Sequence, residues 1–304
     1  MYAIIQKGRK LHLEIDLMLK LFDSCVLPIL LYGSEVWGYE NVDILERVHT
    51  KFCKIILKCS KFVHNSVIYA ELGRYPIYLE VNRRMLNFWS RTLLGSDKKF
   101  SSVMYKILLN LNDKERHNSP WINHIKSLLQ DTGVNFIWMS QQVQNCMYTG
   151  IIVNKVQQDQ FLQAWCQKIS ENPDFISYRI FKSDIAKEKY LSVLPEYLLH
   201  PYVEFRTGSY RIPVNNRRLD LPRNERLCKY CHMNKLGDEF HFLFECPTLR
   251  EIRSKHIPTS YTRNPNTLKM KDLLQTEAHI FEVARFIFES FKLLKDLKEN
   301  PPTA

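Results

Sequence analysis

The sequence predicts a mostly α-helical protein, an elongated helical array that carries one small Cys/His module. Apolar residues recur at steps of three and four in residues 41–61 and again in residues 277–298, which gives a helix one apolar face. Short cysteine and histidine spacings in residues 228–246 indicate the module. Four consecutive segments are predicted: a helical region over 1–95, a helical connector over 96–200, a basic segment with the module over 201–256, and a linker with a final helix over 257–304.

Composition and charge favour a protein that binds an anionic partner. Hydrophobic residues make up 45% of the 304 residues, which is enough for a sizeable core. The formal net charge is +11, and nucleic acid is the commonest partner of strongly basic proteins. Charge alone is a weak indicator, because many basic proteins bind nothing specific. The apolar run over 25–32 is too short to cross a bilayer, so no membrane partner is expected.

The eight cysteines do not follow the pattern of a secreted, disulfide-rich protein. Five of them are scattered among apolar residues, where single buried thiols are common. These five are Cys25, Cys53, Cys59, Cys146 and Cys166. No signal peptide is expected at the start of the sequence. A reducing compartment, the nucleus or the cytoplasm, is therefore the expected location.

Residues 41–61 give the clearest helical pattern. The predicted apolar face contains Leu45, Val48, Phe52, Ile55 and Cys59. A basic row at the same spacing, roughly 120° away around the helix, consists of Arg47, Lys51, Lys54, Lys58 and Lys61. Like charges at these spacings repel by a few tenths of a kcal/mol per pair, and an anionic partner would relieve that repulsion. The alternative is a solvated basic face without a partner.

Start and stop signals locate two of the middle helices. Residues 66–94 are predicted to be helical, with breaks at Gly73 and Pro76. Ser119 is a predicted N-cap in front of a proline, and Gly133 fits the end of the helix that follows.

The C-terminal segment is predicted to be a linker followed by one amphipathic helix. Residues 257–270 are rich in Pro, Thr, Ser and Asn, as linkers are. The helix over 277–298 is expected to bury a single side. That side contains Phe281, Ala284, Phe288, Phe291 and Leu294.

Residues 201–227 are rich in arginine, whose guanidinium group binds phosphate through paired hydrogen bonds. The candidate phosphate ligands are Arg206, Arg211, Arg217, Arg218 and Arg223, with Arg226 close behind. Tyr202, Phe205 and Tyr210 lie among them, and aromatic rings can stack on unpaired bases. The alternative interpretation places the aromatic residues in the core and the arginines on the surface.

The Cys/His module has the ligand types and spacings of a zinc site. Cys228 and Cys231 are two residues apart, and His241 and Cys246 close the other side. Four protein ligands fill a tetrahedral site, which predicts a structural zinc ion and no position for a catalytic water. His232 is a competing ligand, although His241 has the better spacing to Cys246. The alternative is a pair of buried structural cysteines near an unrelated histidine.

Three blocks of the chain resemble the C-terminal region of non-LTR (LINE-type) retrotransposon reverse transcriptases. The blocks are Phe22-Asp-Ser-Cys-Val-Leu-Pro-Ile-Leu-Leu-Tyr-Gly-Ser-Glu-Val-Trp-Gly38, Glu71-Leu-Gly-Arg-Tyr-Pro76, and Glu225-Arg-Leu-Cys-Lys-Tyr-Cys231 with Asp238-Glu-Phe-His-Phe-Leu-Phe-Glu-Cys-Pro247. They occur in the order of that family. The resemblance implies a thumb-like region, a helical connector and a zinc knuckle that grip RNA and DNA. It also implies Cys228, Cys231, His241 and Cys246 as the metal ligands.

No catalytic pattern accompanies the resemblance. The fingers, the palm and any upstream endonuclease of the family are absent, and the chain contains no adjacent pair of aspartates to hold polymerase metal ions. A restriction-type nuclease would use Pro173-Asp174 with Asp296-Leu-Lys298, but the second group lies on a predicted helix, which is the wrong element. No catalytic residues are therefore expected.

The sequence thus favours a non-catalytic nucleic-acid-binding remnant of a retrotransposon reverse transcriptase, with RNA, DNA or both as partners. The alternative is a helical protein-interaction scaffold whose zinc knuckle only stabilises the fold. A reading frame without a selected function is the third interpretation. The preference for RNA or DNA, further protein partners and the oligomeric state stay open at this point.

Overall fold

The computed structural model describes residues 1–96, 98–114, 118–143, 146–208, 211–215 and 221–299. Within these ranges the chain is mostly helical and contains no strand, which confirms the prediction of a mostly α-helical fold. The first helices are α1 (Tyr2–Lys10), α2 (Ile15–Leu21), α3 (Leu27–Leu30), α4 (Ser34–Trp37), α5 (Val42–Ile56), α6 (Asn65–Leu72), α7 (Ile77–Leu93), α8 (Phe100–Asp113) and α9 (Pro120–Asp131). They are followed by α10 (Asn135–Ser140), α11 (Cys146–Glu171), α12 (Tyr178–Phe181), α13 (Tyr190–Val193), α14 (Glu196–Arg206), α15 (Arg250–His256), α16 (Thr259–Thr262), α17 (Thr267–Gln275) and α18 (Ile280–Glu299).

Short turns of other helical types connect these elements. Two are π-helical, Phe22–Val26 and His241–Glu245. The 3₁₀ turns are Pro173–Phe175, Pro213–Asn215, Arg223–Glu225, Pro247–Leu249 and Glu277–His279. No helix among the described residues combines the length and the hydrophobicity needed to span a membrane.

The chain folds into two compact units, each built from separate stretches of sequence. Unit 1 contains Met1–Leu11, Leu17–Lys51 and Tyr75–Ala164. Unit 2 contains His12–Asp16, Phe52–Arg74 and Trp165–Ala304. The four consecutive segments assign a separate role to each part of the chain, and the contacts do not test those roles. That division therefore stays a prediction.

Unit 1 has a helical core centred on α7. Trp89 is fully buried, stacks on Trp138 with the ring centroids 6.1 Å apart, and donates a 3.0 Å hydrogen bond from Nε1 to the hydroxyl of Tyr105. Helix α9 begins as predicted, because the Ser119 side chain accepts a hydrogen bond from the backbone N–H of Ile122. The ring contacts join α7, α8 and α10.

Helix α5 ends earlier than the sequence pattern predicts. It stops at Ile56, and Lys58 adopts a left-handed conformation with φ of 52°. The backbone N–H of Cys59 donates to the carbonyl of Lys54 at 3.2 Å, and that of Lys58 donates to Ile55 at 3.2 Å. This is the hydrogen-bond pattern of a Schellman motif, in which glycine is the usual residue at the left-handed position. The predicted helix over 41–61 is therefore wrong in its last turn.

Unit 2 contains a buried ion pair between Glu71 and Arg206. Arg206 Nε and Nη2 donate to the two carboxylate oxygens at 2.9 and 3.1 Å, and both side chains are fully buried. The hydroxyls of Tyr178 and Tyr190 donate to the same carboxylate at 2.9 and 2.5 Å. Because every oxygen of Glu71 is hydrogen-bonded, the charge is tolerated in the interior.

The C-terminal segment is more ordered than a linker. Helices α16 and α17 occupy much of 257–270, and the Asn266 side chain caps α17 by accepting from the N–H of Lys269 at 2.9 Å. Met270 is fully buried. Helix α18 forms as predicted, but Phe281 and Phe288 are about one-third exposed, while Val283, Phe286 and Ile287 are buried. The buried side of α18 is thus rotated from the predicted one.

Candidate metal centre

A hairpin-like loop in unit 2 carries the first two cysteines. Leu227 and Leu236 form an antiparallel bridge at its base. The backbone N–H of Cys228 donates to the carbonyl of Lys235 at 2.8 Å, and that of Gly237 donates to Arg226 at 3.0 Å. The loop reverses between these bonds and presents two thiols from one side.

A short helical turn carries the other two candidate ligands. The side chain of Asp238 accepts a 2.8 Å hydrogen bond from the backbone N–H of His241 and so fixes the start of the π-helical turn. The N–H of Cys246 donates to the carbonyl of His241 at 2.8 Å and closes the turn. Phe242, inside this turn, packs against Phe205 of α14 and against Phe286 and Phe291 of α18, with ring centroids 5.5–5.6 Å apart. The aromatic contacts anchor this half of the site to the core of unit 2.

The four predicted ligands converge. Cys231 Sγ lies 3.4 Å from His241 Nε2, and Cys228 Sγ lies 4.0 Å from Cys246 Sγ. All four ligand atoms lie within 4.8 Å of one another, so the cluster could hold a metal ion. Cys228, His241 and Cys246 are buried, whereas the competing His232 is exposed and lies outside the cluster.

Hydrogen bonds among the ligands shift their pKa values in opposite directions. The Cys228 thiol and the His241 ring lower the pKa of Cys246 to about 4, which favours its thiolate, the form that binds metals. Donation to Cys246, together with burial, raises the pKa of Cys228. Burial would lower the pKa of His241, but hydrogen bonds to Cys246 and Cys231 outweigh it and raise that pKa to about 9.

Glu245 orients the histidine ring. Its Oε2 lies 3.3 Å from His241 Nδ1, so the other ring nitrogen, Nε2, faces the cysteines. Lys235 donates to Glu245 Oε1 at 2.9 Å. A carboxylate behind a ligating histidine is a common feature of metal sites, because it fixes the tautomer of the ring.

Arg253 of α15 holds the turn from behind. Its Nε donates to the carbonyl of Leu243 at 2.6 Å, and its Nη2 donates to the carbonyls of Phe242 and Cys246 at 3.3 and 2.9 Å. The side chain is buried, and no carboxylate among the described residues forms an ion pair with it. Arg253 therefore places a positive charge next to Cys246.

The predicted basic row is only partly a continuous surface. Arg47, Lys51 and Lys61 are exposed. Lys54 is half-buried and donates to the carbonyl of Lys61 at 3.1 Å, and burial lowers its pKa. Lys58, past the end of α5, is in an ion pair with Glu196. The prediction that all five residues share one helix face is therefore wrong, because the helix ends before Lys58.

The arginines before the metal cluster differ in their surroundings. Arg206 is 2% exposed and is bound to Glu71, so its assignment as a phosphate ligand is wrong. Arg211 is half-buried, lies 3.4 Å from Glu204 and packs over the ring of Phe291. Arg223 is half-buried. Arg217 and Arg218 lie outside the described residues.

Two of the aromatic residues in this segment are core residues, as the alternative interpretation holds. Tyr202 and Phe205 are fully buried, and Tyr210 lies outside the described residues.

Among the five scattered cysteines, Cys53 is buried and Cys59 is half-buried, whereas Cys25 and Cys166 are exposed. The structure does not describe the side chain of Cys146. The expectation of buried single thiols therefore holds for only part of this set.

Sequence reasoning missed the residues that support the ligands. Asp238 could have been found, because a carboxylate three residues before His241 is a normal helix-capping spacing. Glu245, four residues after His241, has the spacing of neighbours on one helical face. No sequence signal marks Arg253, whose role depends on where α15 packs.

No protein-family model, no curated protein and no solved structure matches this chain, so the resemblance to the retrotransposon family stays a hypothesis based on the sequence blocks.

Proposed function

We propose that this protein is a non-catalytic nucleic-acid-binding protein with a structural zinc module, related to the C-terminal region of non-LTR retrotransposon reverse transcriptases. The observation that carries the proposal is the convergence of Cys228, Cys231, His241 and Cys246 within 4.8 Å. Those four residues have the same identities and order in the block that resembles the family.

Zinc is the metal that best fits this donor set. A tetrahedral zinc ion with bond lengths of about 2.3 Å to sulfur and 2.05 Å to nitrogen separates two sulfurs by about 3.8 Å, and a sulfur from a nitrogen by about 3.6 Å. The observed separations of 4.0 and 3.4 Å lie close to these values. Three thiolates and one neutral imidazole give the zinc complex a net charge of about −1, which the buried Arg253 would balance. Four protein ligands support a structural role.

Exposed basic side chains support phosphate binding in each unit separately. Arg47 and Lys51 are exposed in unit 1, and unit 2 contains the exposed Lys61 and the half-buried Arg223. A net charge of +11 adds a long-range attraction for polyanions. Contacts of this kind bind phosphate and read little sequence, so binding without strong base preference is expected.

The proposal is tested by titrating the zinc-loaded full chain with single-stranded RNA, a structured RNA and duplex DNA at several salt concentrations. The logarithm of affinity should fall linearly with the logarithm of salt concentration, with a slope of about −0.7 to −0.9 for each phosphate contact. Affinity below detection for all three nucleic acids at low salt would contradict the proposal. Strong binding that salt does not weaken would argue against phosphate contacts.

The non-catalytic part of the proposal rests on the sequence, which has no adjacent aspartates. Purified protein should therefore incorporate no nucleotides on a primed template in the presence of Mg²⁺ or Mn²⁺. This part would be overturned by template-dependent nucleotide incorporation that co-purifies with the chain over successive columns and that changes when the chain carries substitutions.

A further inference from the structure

Helix α8 in unit 1 is apolar on two opposite faces. One face packs into the core through Tyr105, which is 5% exposed, with Leu108 and Leu109 half-buried beside it. The other face carries Phe100, Val103, Met104 and Ile107, which are 79%, 39%, 36% and 47% exposed. A surface helix normally has a polar outer face, so this second apolar row indicates a covered surface.

The exposed row has the geometry of a helix-binding site. Its members stand at positions i, i+3, i+4 and i+7, and the half-buried Leu111 continues the row at i+11. At 1.5 Å per residue the row is about 16 Å long, and it is roughly 100° wide around the helix. A narrow row of this spacing fits the apolar face of one other helix.

The described charges at the amino end of the row are positive. Lys98 and Lys99 are both exposed there. Helix α8 has no acidic residue in its first turn, and its N-cap residue Lys99 makes no side-chain capping hydrogen bond. The positive end of the helix dipole is thus flanked by cations, an unfavourable arrangement that an external carboxylate would relieve.

We propose that this face of α8, the α8 row, binds an amphipathic helix of a partner protein whose polar flanks are acidic. The apolar residues of the partner would pack on Phe100, Met104 and Ile107, and its carboxylates would lie near Lys98 and Lys99. This surface is independent of the metal centre, which lies in unit 2. A second copy of this chain fits less well, because it would bring the same lysines and a further net charge of +11.

The test uses two designed, fluorescein-labelled peptides of about 18 residues, long enough for helix formation on the surface. Both carry leucine at i, i+3, i+4 and i+7; one has glutamate at the remaining positions and the other has lysine. Anisotropy titrations with the full chain should show that the glutamate peptide binds about tenfold more tightly than the lysine peptide, or better. Raising the salt concentration should reduce the difference.

Variants locate the binding to the α8 row. The double variant Met104→Asp/Ile107→Asp should lose most of the binding, at least about tenfold, because it places charges within the apolar contact. Val193→Asp/Leu268→Asp is the matched control: Val193 and Leu268 are 47% and 76% exposed in unit 2, so the same two changes there should leave peptide affinity unaltered. Thermal unfolding of each variant should show that the fold is retained, because the altered side chains are exposed.

Several results would overturn the proposal. One is failure of the glutamate peptide to bind the wild type, or equal affinity for the wild type and the double variant. Equal affinity for both peptides would contradict the proposal that the flanks of the partner helix are acidic. Sedimentation showing a dimer that the double variant abolishes would assign the row to a second copy. Binding to phosphatidylserine vesicles that the double variant abolishes, without peptide binding, would assign it to a membrane surface.

Discussion

Arg253 Nη2 donates a 2.9 Å hydrogen bond to the backbone carbonyl of Cys246, one of the four candidate metal ligands. The same guanidinium also binds the carbonyls of Phe242 and Leu243. One buried cation therefore holds the whole turn that carries His241 and Cys246. It also supplies a positive charge next to a cluster that becomes negative when three thiolates surround a zinc ion.

Replacing Arg253 with methionine, Arg253→Met, should destabilise the module. Three carbonyls lose their donor, at roughly 1 kcal/mol each, so a loss of about 3 kcal/mol in the free energy of unfolding is expected. Zinc should also pass more readily to a chelator. Urea unfolding and chelator competition measure the two effects. Arg250→Met is the control, because Arg250 is exposed on the same helix. Equal unfolding free energies and equal rates of zinc loss for the two variants would contradict the role given to Arg253.

The Glu71–Arg206 pair predicts a strong effect of substitution within unit 2. Arg206→Met leaves a buried carboxylate without its cation and should cost about 3–5 kcal/mol in unfolding free energy. Arg83→Met, which disrupts the partly exposed pair with Glu80, should cost less than about 1 kcal/mol. Chemical denaturation of both variants provides the comparison. Similar costs for the two would show that the buried pair is not a main stabilising contact.

The same pair predicts a pH dependence whose sign changes in the variant. Burial alone would raise the pKa of Glu71, but the Arg206 charge and its hydrogen bonds hold that pKa below the ordinary 4.5. The wild-type contribution is therefore present above pH 4.5 and lost as the pH falls through the lowered pKa. Without Arg206, burial should raise the pKa, so the variant should gain stability as the pH falls from 7 towards 4.5. Parallel pH profiles of wild type and variant would contradict this assignment.

Two glycines with similar backbone conformations should respond differently to alanine. Gly73 ends α6 with φ of 62°, and a Cβ there would lie 2.4 Å from the backbone nitrogen of Lys187. Gly133 has φ of 75°, but a Cβ there would meet nothing within 4 Å. Gly133→Ala should cost about 1–2 kcal/mol from the left-handed conformation alone, and Gly73→Ala clearly more because the backbone must also move. Equal melting temperatures of the two variants would contradict the close approach at Gly73.

The exposed members of the basic row give a prediction about nucleic-acid binding. Lys51→Gln/Lys61→Gln should weaken binding to RNA and DNA alike, and should reduce the log–log salt slope by up to about 0.9 per lost contact. Folding should be retained, because both side chains are exposed. Lys271→Gln/Lys292→Gln removes the same charge from exposed positions on α17 and α18. If both double variants bind alike, residues 51 and 61 contribute only net charge.

Sequence patterns predicted the parts of this fold that local chemistry determines. Ser119 caps α9 and Gly73 ends α6, as expected, because a hydroxyl acceptor and a residue without Cβ act within a few residues. The four cysteine and histidine ligands were found because tetrahedral coordination demands short spacings. The end of α5 was missed because Lys58, and not glycine, takes the left-handed position.

Long-range packing decided the features that the sequence could not show. Arg206 looks like its neighbours in the arginine-rich segment, yet it is buried because Glu71, 135 residues away, lies beside it. The buried side of α18 is rotated towards Phe286 because this ring contacts Phe242 of the metal-binding turn. Neither contact leaves a local pattern, since both partners come from distant parts of the chain.

The metal content of freshly purified protein tests the central claim most directly. Native mass spectrometry with elemental analysis should find one zinc ion per chain, since four ligands form one site. Cys231→Ser should lose the ion and unfold the region around residues 225–250, whereas His232→Ala and Cys166→Ser should keep it, because both residues lie outside the cluster. Wild-type protein without zinc, or a Cys231→Ser variant that retains it, would contradict the account.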